Sequence, residues 1–284
     1  MSRSKATIHG AVSLVNAIAT GKGATLGISL KVEAIIEESS GTGITIESDN
    51  QSLSSRLINK TIEKIVPKKK LEKTKLHLIL NSEIPTGYGL KSSSAISSAV
   101  ALACAKLFQP KIVDSEILLA GIDASIETKV SITGAYDDAT ACYFGGFQVT
   151  DNYKRKTILA EKAPTNLMAT VFLPKSRKRG NVKKLKTLDT VFDKAWNLAK
   201  NKDYWNAMIL NGLATSAILN SDPKIITDLI EEGALGASVS GNGPSIAAIV
   251  KKDNLTKVKK VFSSMEGRII TSEVNNKKAE VHEL

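Results

Sequence analysis

The chain has 284 residues, 42% of them hydrophobic and 24% charged, which excludes a disordered or membrane-embedded protein on composition and leaves room for one large or two smaller α/β domains. No run of about 18 apolar residues is present to span a bilayer, and the first five residues lead into a mixed segment rather than the apolar core of a secretory signal. The formal net charge of +11 suits a field that draws in anionic substrates. The rival reading is nucleic-acid binding, but no aromatic residues interleave with the basic clusters at 68–70, 175–179 and 251–252.

In chain order, alternation and β-branched residues predict strands over 6–15 and 24–36, separated by the loop Ala19-Thr20-Gly21-Lys22-Gly23. Gly41-Thr42-Gly43 reads as a turn into the short strand 44–46. Leu53, Leu57, Ile58, Ile62 and Ile65 keep helical spacing over 51–66, and Pro67 ends that helix. Residues 76–80 read as a strand, followed by a glycine-rich turn and a long helix from Ser93 to Phe108. Asp114 is expected to cap a helix over 114–130. Strands at 144–150 and 167–173 come next, then helices near 187–200, 203–219 and 224–232. A hairpin turns tightly at Gly241-Asn242-Gly243, and helix 253–265 and strand 267–273 follow. Strands and helices come in blocks, which predicts an α+β molecule in two parts, divided between 150 and 165.

Cys104 and Cys142 lie in apolar segments, so a reducing, cytoplasmic setting is expected rather than a disulfide framework. The three histidines have no metal-ligand spacing to each other or to the cysteines. Trp196 and Trp205 read as core.

The most informative segment is Pro85-Thr86-Gly87-Tyr88-Gly89-Leu90-Lys91-Ser92-Ser93-Ser94-Ala95. It leaves a strand and opens a helix. Its glycines let the backbone turn sharply, and its serines sit where unpaired N–H groups and the helix dipole favour an anion. A Walker A loop is excluded, because Gly21-Lys22 has Asn16 where the earlier glycine belongs and Gly23 where Ser or Thr belongs. A dinucleotide fingerprint is excluded too, since Gly87-x-Gly89 has Ser92 at its third position. Taken alone, the segment could still be a serine-capped turn with no ligand.

The segment 85–95 is similar to the phosphate-binding motif of the GHMP kinases, the superfamily of galactokinase, homoserine kinase and mevalonate kinase. Two further segments match in order. Thr133-Gly134-Ala135-Tyr136-Asp137-Asp138 through Gly146 resembles the family's catalytic-aspartate segment, and Gly236 to Pro244 resembles its third, glycine-rich motif. Together with Gly10 to Gly23, these segments look most like the archaeal-type shikimate kinases.

That resemblance implies a two-domain GHMP kinase fold, with a ribosomal protein S5 domain 2-like N-terminal part over 1–160 and a ferredoxin-like C-terminal part over 161–284. It implies transfer of the γ-phosphoryl group of ATP, with Mg2+, to the 3-hydroxyl of shikimate. Homoserine and pantoate are the alternative acceptors. Residues 85–95 would cradle ATP, and Ser93 (or Ser94) and Glu127 would hold the metal. Asp138 would orient or deprotonate the acceptor hydroxyl, with Asp137 as its rival because the doublet leaves the alignment open by one residue. Lys22 would meet the acceptor carboxylate, assisted by Asn16 and Thr20, and Gly241, Asn242 and Gly243 would close the far side. The competing expectations are a surface ion pair for Glu127 and a solvated loop for Lys22. No nucleic-acid or membrane partner is expected, and a homodimer is left open.

Overall fold

The computed structural model describes residues 2–48, 54–178 and 180–284. In chain order the elements are β1 (Arg3–Val15), β2 (Lys22–Ser40), β3 (Gly43–Ser48), α1 (Ser55–Ile65), α2 (Lys68–Leu71), β4 (Thr74–Ser82), α3 (Ser92–Phe108), α4 (Asp114–Glu127), α5 (Tyr136–Phe144), β5 (Phe147–Asp151) and β6 (Lys156–Glu161). The second part adds β7 (Leu167–Pro174), α6 (Asp189–Lys200), α7 (Tyr204–Leu219), α8 (Lys224–Glu231), β8 (Ala234–Val239), β9 (Ile246–Lys251), α9 (Leu255–Val261), β10 (Gly267–Glu273) and β11 (Glu280–Glu283).

Among the described residues, seven strands form one sheet, in the order β11-β1-β2-β4-β3, with β5 and β6 continuing from the other end of β2. β3 lies parallel to β4 and α1 is the crossover between them, as a parallel pair requires. The second sheet is antiparallel, β10-β7-β9-β8. β1 alternates buried and half-buried residues up to Gly10 and is buried on both faces beyond it. There α7 and β8 of the second part pack against it.

Helix α3 holds the first part together. It is buried from Ser94 to Ala105 on all sides, between the sheet and helices α1, α4 and α5. Ala95, Ala99, Ala101, Ala103 and Ala105 make this possible, since small residues with strong helix propensity let neighbours approach closely. A helix enclosed in this way has a fixed axis, so its first turn is aimed as rigidly as the core is packed.

Several elements differ from the sequence reading. Val113, not Asp114, occupies the cap of α4; the Asp114 carboxylate instead accepts a 2.7 Å hydrogen bond from the Tyr143 hydroxyl and pairs with Lys278. Residues 136–144 are a helix, which starts from Ala135 in the left-handed region with no capping side chain to announce it. The expected tight turn at 241–243 is present, with the Gly243 N–H donating to the Ser240 carbonyl at 2.9 Å, and it sits in a loop closed by the Ser240 N–H donating to the Ser245 carbonyl at 2.9 Å. The helix expected over 253–265 is α-helical only from Leu255 to Val261, with single 3-10 turns on either side. Part of the helix expected over 51–66 lies outside the described residues. β11 returns to pair with β1, so the end of the chain belongs to the first sheet.

Both cysteines are buried and unpaired with each other, and burial pushes the Cys104 thiol up to about 12. Among the described residues, no helix is long and apolar enough to cross a membrane.

A buried amide clamps the two parts. Asn211 of α7 accepts a 2.8 Å bond from the Asn16 N–H after β1 and donates a 2.7 Å bond to Ser238 Oγ of β8. Asn211→Ala strands the Asn16 donor and leaves a gap, so it is expected to lower the unfolding free energy by about 2 kcal/mol or more. Urea denaturation measures this, and an unchanged midpoint would show that the clamp is redundant.

Candidate active site

The turn between β4 and α3 alternates ordinary and left-handed residues, with positive φ at Gly87 (+83°), Gly89 (+81°) and Lys91 (+67°). Gly89 is glycine by necessity. A Cβ there would lie 1.9 Å from the Ser240 carbonyl oxygen, so no side chain fits. Ser240 Oγ donates to the Gly89 carbonyl at 2.9 Å, and Ser245 Oγ donates to the Tyr88 carbonyl at 2.6 Å. The third glycine-rich segment thus fastens the first across the domain boundary. α3 then begins at Ser92 with no side-chain cap, so none of its first N–H groups is taken up in that way.

α5 starts in the same manner. Ala135 is left-handed at φ +52°, no side chain caps the helix, and Asp137 and Asp138 fill the first turn, where the dipole favours negative charge. Left-handed non-glycine residues cost about 1 kcal/mol each or more and persist only where surrounding packing dictates them. Here two of them, Lys91 and Ala135, open two helices onto one cavity of about 270 Å³. Gly87, Gly89 and Ser92 to Ser94 line one wall, Ala135, Asp137 and Asp138 another, and Asn16, Gly241 and Asn242 a third.

The two aspartates have different surroundings. Asp137 is buried and occupied: its carboxylate accepts from Asn152 Nδ2 at 2.7 Å and from Thr25 Oγ1 at 3.2 Å. Its own N–H donates to Asn152 Oδ1. Asp138 is 18% exposed in the cavity, with Oδ1 2.9 Å from the Lys91 ammonium, whose side chain is only 4% exposed. The contact is ionic rather than an aligned hydrogen bond; the aligned bond of Lys91 runs to Ser13 Oγ at 2.6 Å. Burial first, and the charge of Asp137 second, push the Asp138 carboxyl up to about 7 against the opposing pull of Lys91.

Other expected site residues lie elsewhere. Pro85 and Tyr88 face a second cavity behind the loop, while Leu90 and Ala95 are core. Gly243 does not line this cavity; its N–H donates to the Ser240 carbonyl at 2.9 Å. Asn16 lines the cavity, but its amide is taken up by the Gly241 carbonyl and the Ile18 N–H. Thr20 Oγ1 accepts from the Lys22 N–H and stays outside the cavity. Lys22 itself pairs with Asp193 at 3.0 Å and lies over the Trp196 ring, so its charge is already matched. Glu127 is a correction of the same kind: its carboxylate pairs with Lys60 and Lys64 of α1 and is not part of the cavity lining, because the end of α4 turns it toward those ammonium groups.

Sequence reasoning missed Ser13, Asn152, Ser125, Ser131 and Thr133. Ser13 was hidden in an apolar strand, where a lone buried hydroxyl was the only signal. Asn152 follows a strand and reads as an ordinary turn residue until the fold places it beneath Asp137.

The family description GHMP kinases N terminal domain matches residues 56–146. A protein of Methanobrevibacter smithii named shikimate kinase is 36% identical over 94% of this chain and 95% of its own length. One of the same name from Methanosarcina acetivorans is 36% identical over 96% and 95%. Among solved structures, homoserine kinase from Cytophaga hutchinsonii superposes with a TM-score of 0.74 at 19% identity, covering 98% of this chain and 97% of that one. Methanococcus jannaschii mevalonate kinase gives 0.73 at 19%, covering 96% and 98%. At that identity the structures speak for the fold alone, a two-sheet α+β architecture. The full-length likeness at 36% goes further: this chain belongs to the GHMP kinases, in the branch of the archaeal-type shikimate kinases.

Proposed function

We propose that the protein is a shikimate kinase, moving the γ-phosphoryl group of ATP onto the 3-hydroxyl of shikimate. The observation that carries the chemistry is the meeting of an uncapped helix start with the Asp138–Lys91 pair in one cavity. The choice of acceptor rests on the names of the full-length relatives. The reading involves no nucleic acid and no membrane, and sets the enzyme in the cytoplasm as a monomer or homodimer.

The residues fit a nucleotide triphosphate and its metal. The start of α3 offers backbone N–H groups and the hydroxyls of Ser92, Ser93 and Ser94, while Gly89 lets the loop lie directly against Ser240. The cavity's donors are oxygens, which suit magnesium. Among the described residues no protein-only cluster of three metal-binding side chains exists, so phosphate oxygens would complete its shell. Ser93, with Ser94 as alternative, is the protein ligand we assign. Glu127 joins only if it leaves Lys60 and Lys64. Bound magnesium supplies neutralisation of the phosphate charge.

This chain's side chains do the rest. Asp138, poised near neutrality, takes the proton of the acceptor hydroxyl. Lys91 opposes the upward push on the Asp138 carboxyl from burial and Asp137, and is itself held by Ser13. Asp137 positions the helix start from below rather than touching substrate. The wall of Asn16, Gly241 and Asn242 receives the acceptor ring.

In a coupled assay with ATP and a panel of shikimate, homoserine, mevalonate and pantoate, shikimate is expected to drive turnover; turnover on another acceptor alone would replace it. Asp138→Asn is expected to keep the fold by circular dichroism and to lower kcat by about 10²-fold or more. Near-normal turnover would remove Asp138 from the mechanism.

The pH dependence has a definite sign. The carboxyl of Asp138 rises from an ordinary value of 3.8 to about 7, so the folded enzyme favours its protonated form. Its contribution to stability is complete below about 4 and is lost as pH rises through 7. Activity runs the opposite way, because only the ionised form accepts a proton: kcat/KM should climb through pH 7 and then level. A profile flat from pH 5 upward would contradict this. Lys91→Met removes the charge that lowers Asp138, so the rising limb should move to higher pH.

A further inference from the structure

Behind the phosphate loop lies a second cavity, of about 470 Å³, which shares no lining residue with the catalytic one. The loop contributes Pro85 and Tyr88, and the end of β7 contributes Leu173 and Pro174, so much of its surface is apolar. Its rim is cationic. Lys175 and Arg177 follow β7, and Arg268 opens β10, the edge strand of the second sheet.

Acidic compensation is slight. Glu266 stands 4.0 Å from Lys175, with both side chains about four-fifths exposed, a pairing that contributes little. Among the described residues Arg268 has no carboxylate partner, and Arg177 spends its guanidinium on the Tyr88 ring, 4.9 Å from the centroid, with Nε donating weakly to the hydroxyl at 3.4 Å. An arginine stacked on an aromatic face keeps its outer N–H groups available in a fixed plane, the arrangement that grips a planar anionic group. An apolar floor beneath such a rim suits a ligand with one charged end and a flat hydrocarbon body.

We propose that this cavity is a separate binding site for a small ring-bearing organic anion, a carboxylate or a phosphate ester, held by Lys175, Arg177 and Arg268 with its ring against Tyr88, Pro85 and Leu173. The proposal does not depend on which acceptor the catalytic cavity takes. Tyr88 stands between two glycines of the phosphate loop, so an occupant presses on a segment that also faces the nucleotide site.

The test titrates the full-length 15N-labelled protein with benzoate and with phenyl phosphate, in the presence of saturating shikimate and a non-hydrolysable ATP analogue. Saturable shifts are expected at the amides of Tyr88, Leu173, Gly267 and Arg268. Benzoate binding more tightly assigns a carboxylate, and phenyl phosphate binding more tightly assigns a phosphate ester. Acetate and inorganic phosphate, lacking a ring, should bind about tenfold more weakly. The double variant Lys175→Ala, Arg268→Ala should weaken the ring-bearing probe by about tenfold or more and leave kcat unchanged. The proposal is overturned if no saturable shift occurs, if shifts centre on Ser92 to Ser94 and vanish with the ATP analogue, if the double variant binds as the wild type does, or if AMP outcompetes both probes.

Discussion

A lysine and an aspartate, 2.9 Å apart and withdrawn from water, set the conditions for everything around them. Neither could be held there alone: an isolated buried charge neutralises itself or unfolds its surroundings. Their union joins the start of α3 to the start of α5, so the element that would hold phosphate and the element that would take a proton cannot drift apart independently. Asp137, one residue earlier, raises the stakes by adding a second negative charge, and the fold answers with Asn152 and Thr25 as donors to it. The pair of aspartates is therefore divided in function by hydrogen bonding, one satisfied and one left responsive.

The scaffold around this pair is fastened by small hydroxyls and amides rather than by large apolar contacts. Ser13 accepts from both Lys91 and the Gly241 N–H, while Ser240 and Ser245 donate to the loop carbonyls of Gly89 and Tyr88. All three serines are buried, and every one spans the two parts of the molecule. Directional bonds of this kind fix geometry to fractions of an ångström, which apolar packing of alanines and glycines alone would leave loose.

Much of this was legible in the amino-acid sequence and some was not, for physical reasons. The strands with clean alternation were readable because one face is buried, and the long α3 because an unbroken run of small helix-forming residues follows its serines. The glycine turn into α3 was readable because positive φ favours glycine and a helix start favours serine, both local rules. β6 and β11, short edge strands with hardly any buried position, were not, since an edge strand carries little apolar pattern. The destiny of the lysines was least readable. Lys22 and Lys91 both sit in glycine-containing turns, yet one meets Asp193 and the other Asp138, and only the fold chooses between carboxylates so remote in sequence. Glu127 went astray likewise, because its nearest cations come from a helix more than sixty residues earlier in the chain.

The pairing of β11 with β1 sets an order of events during synthesis. Residues 4–7 expose a bare strand edge from the moment they are made, yet their partners at 280–283 follow more than 270 residues later. Until then the first sheet carries an open seam on which another nascent copy could template itself. Arg3 and Lys5, paired with Glu37 and Glu33 of β2, put charge on the face of that unfinished strand pair, which discourages another copy from adding to it.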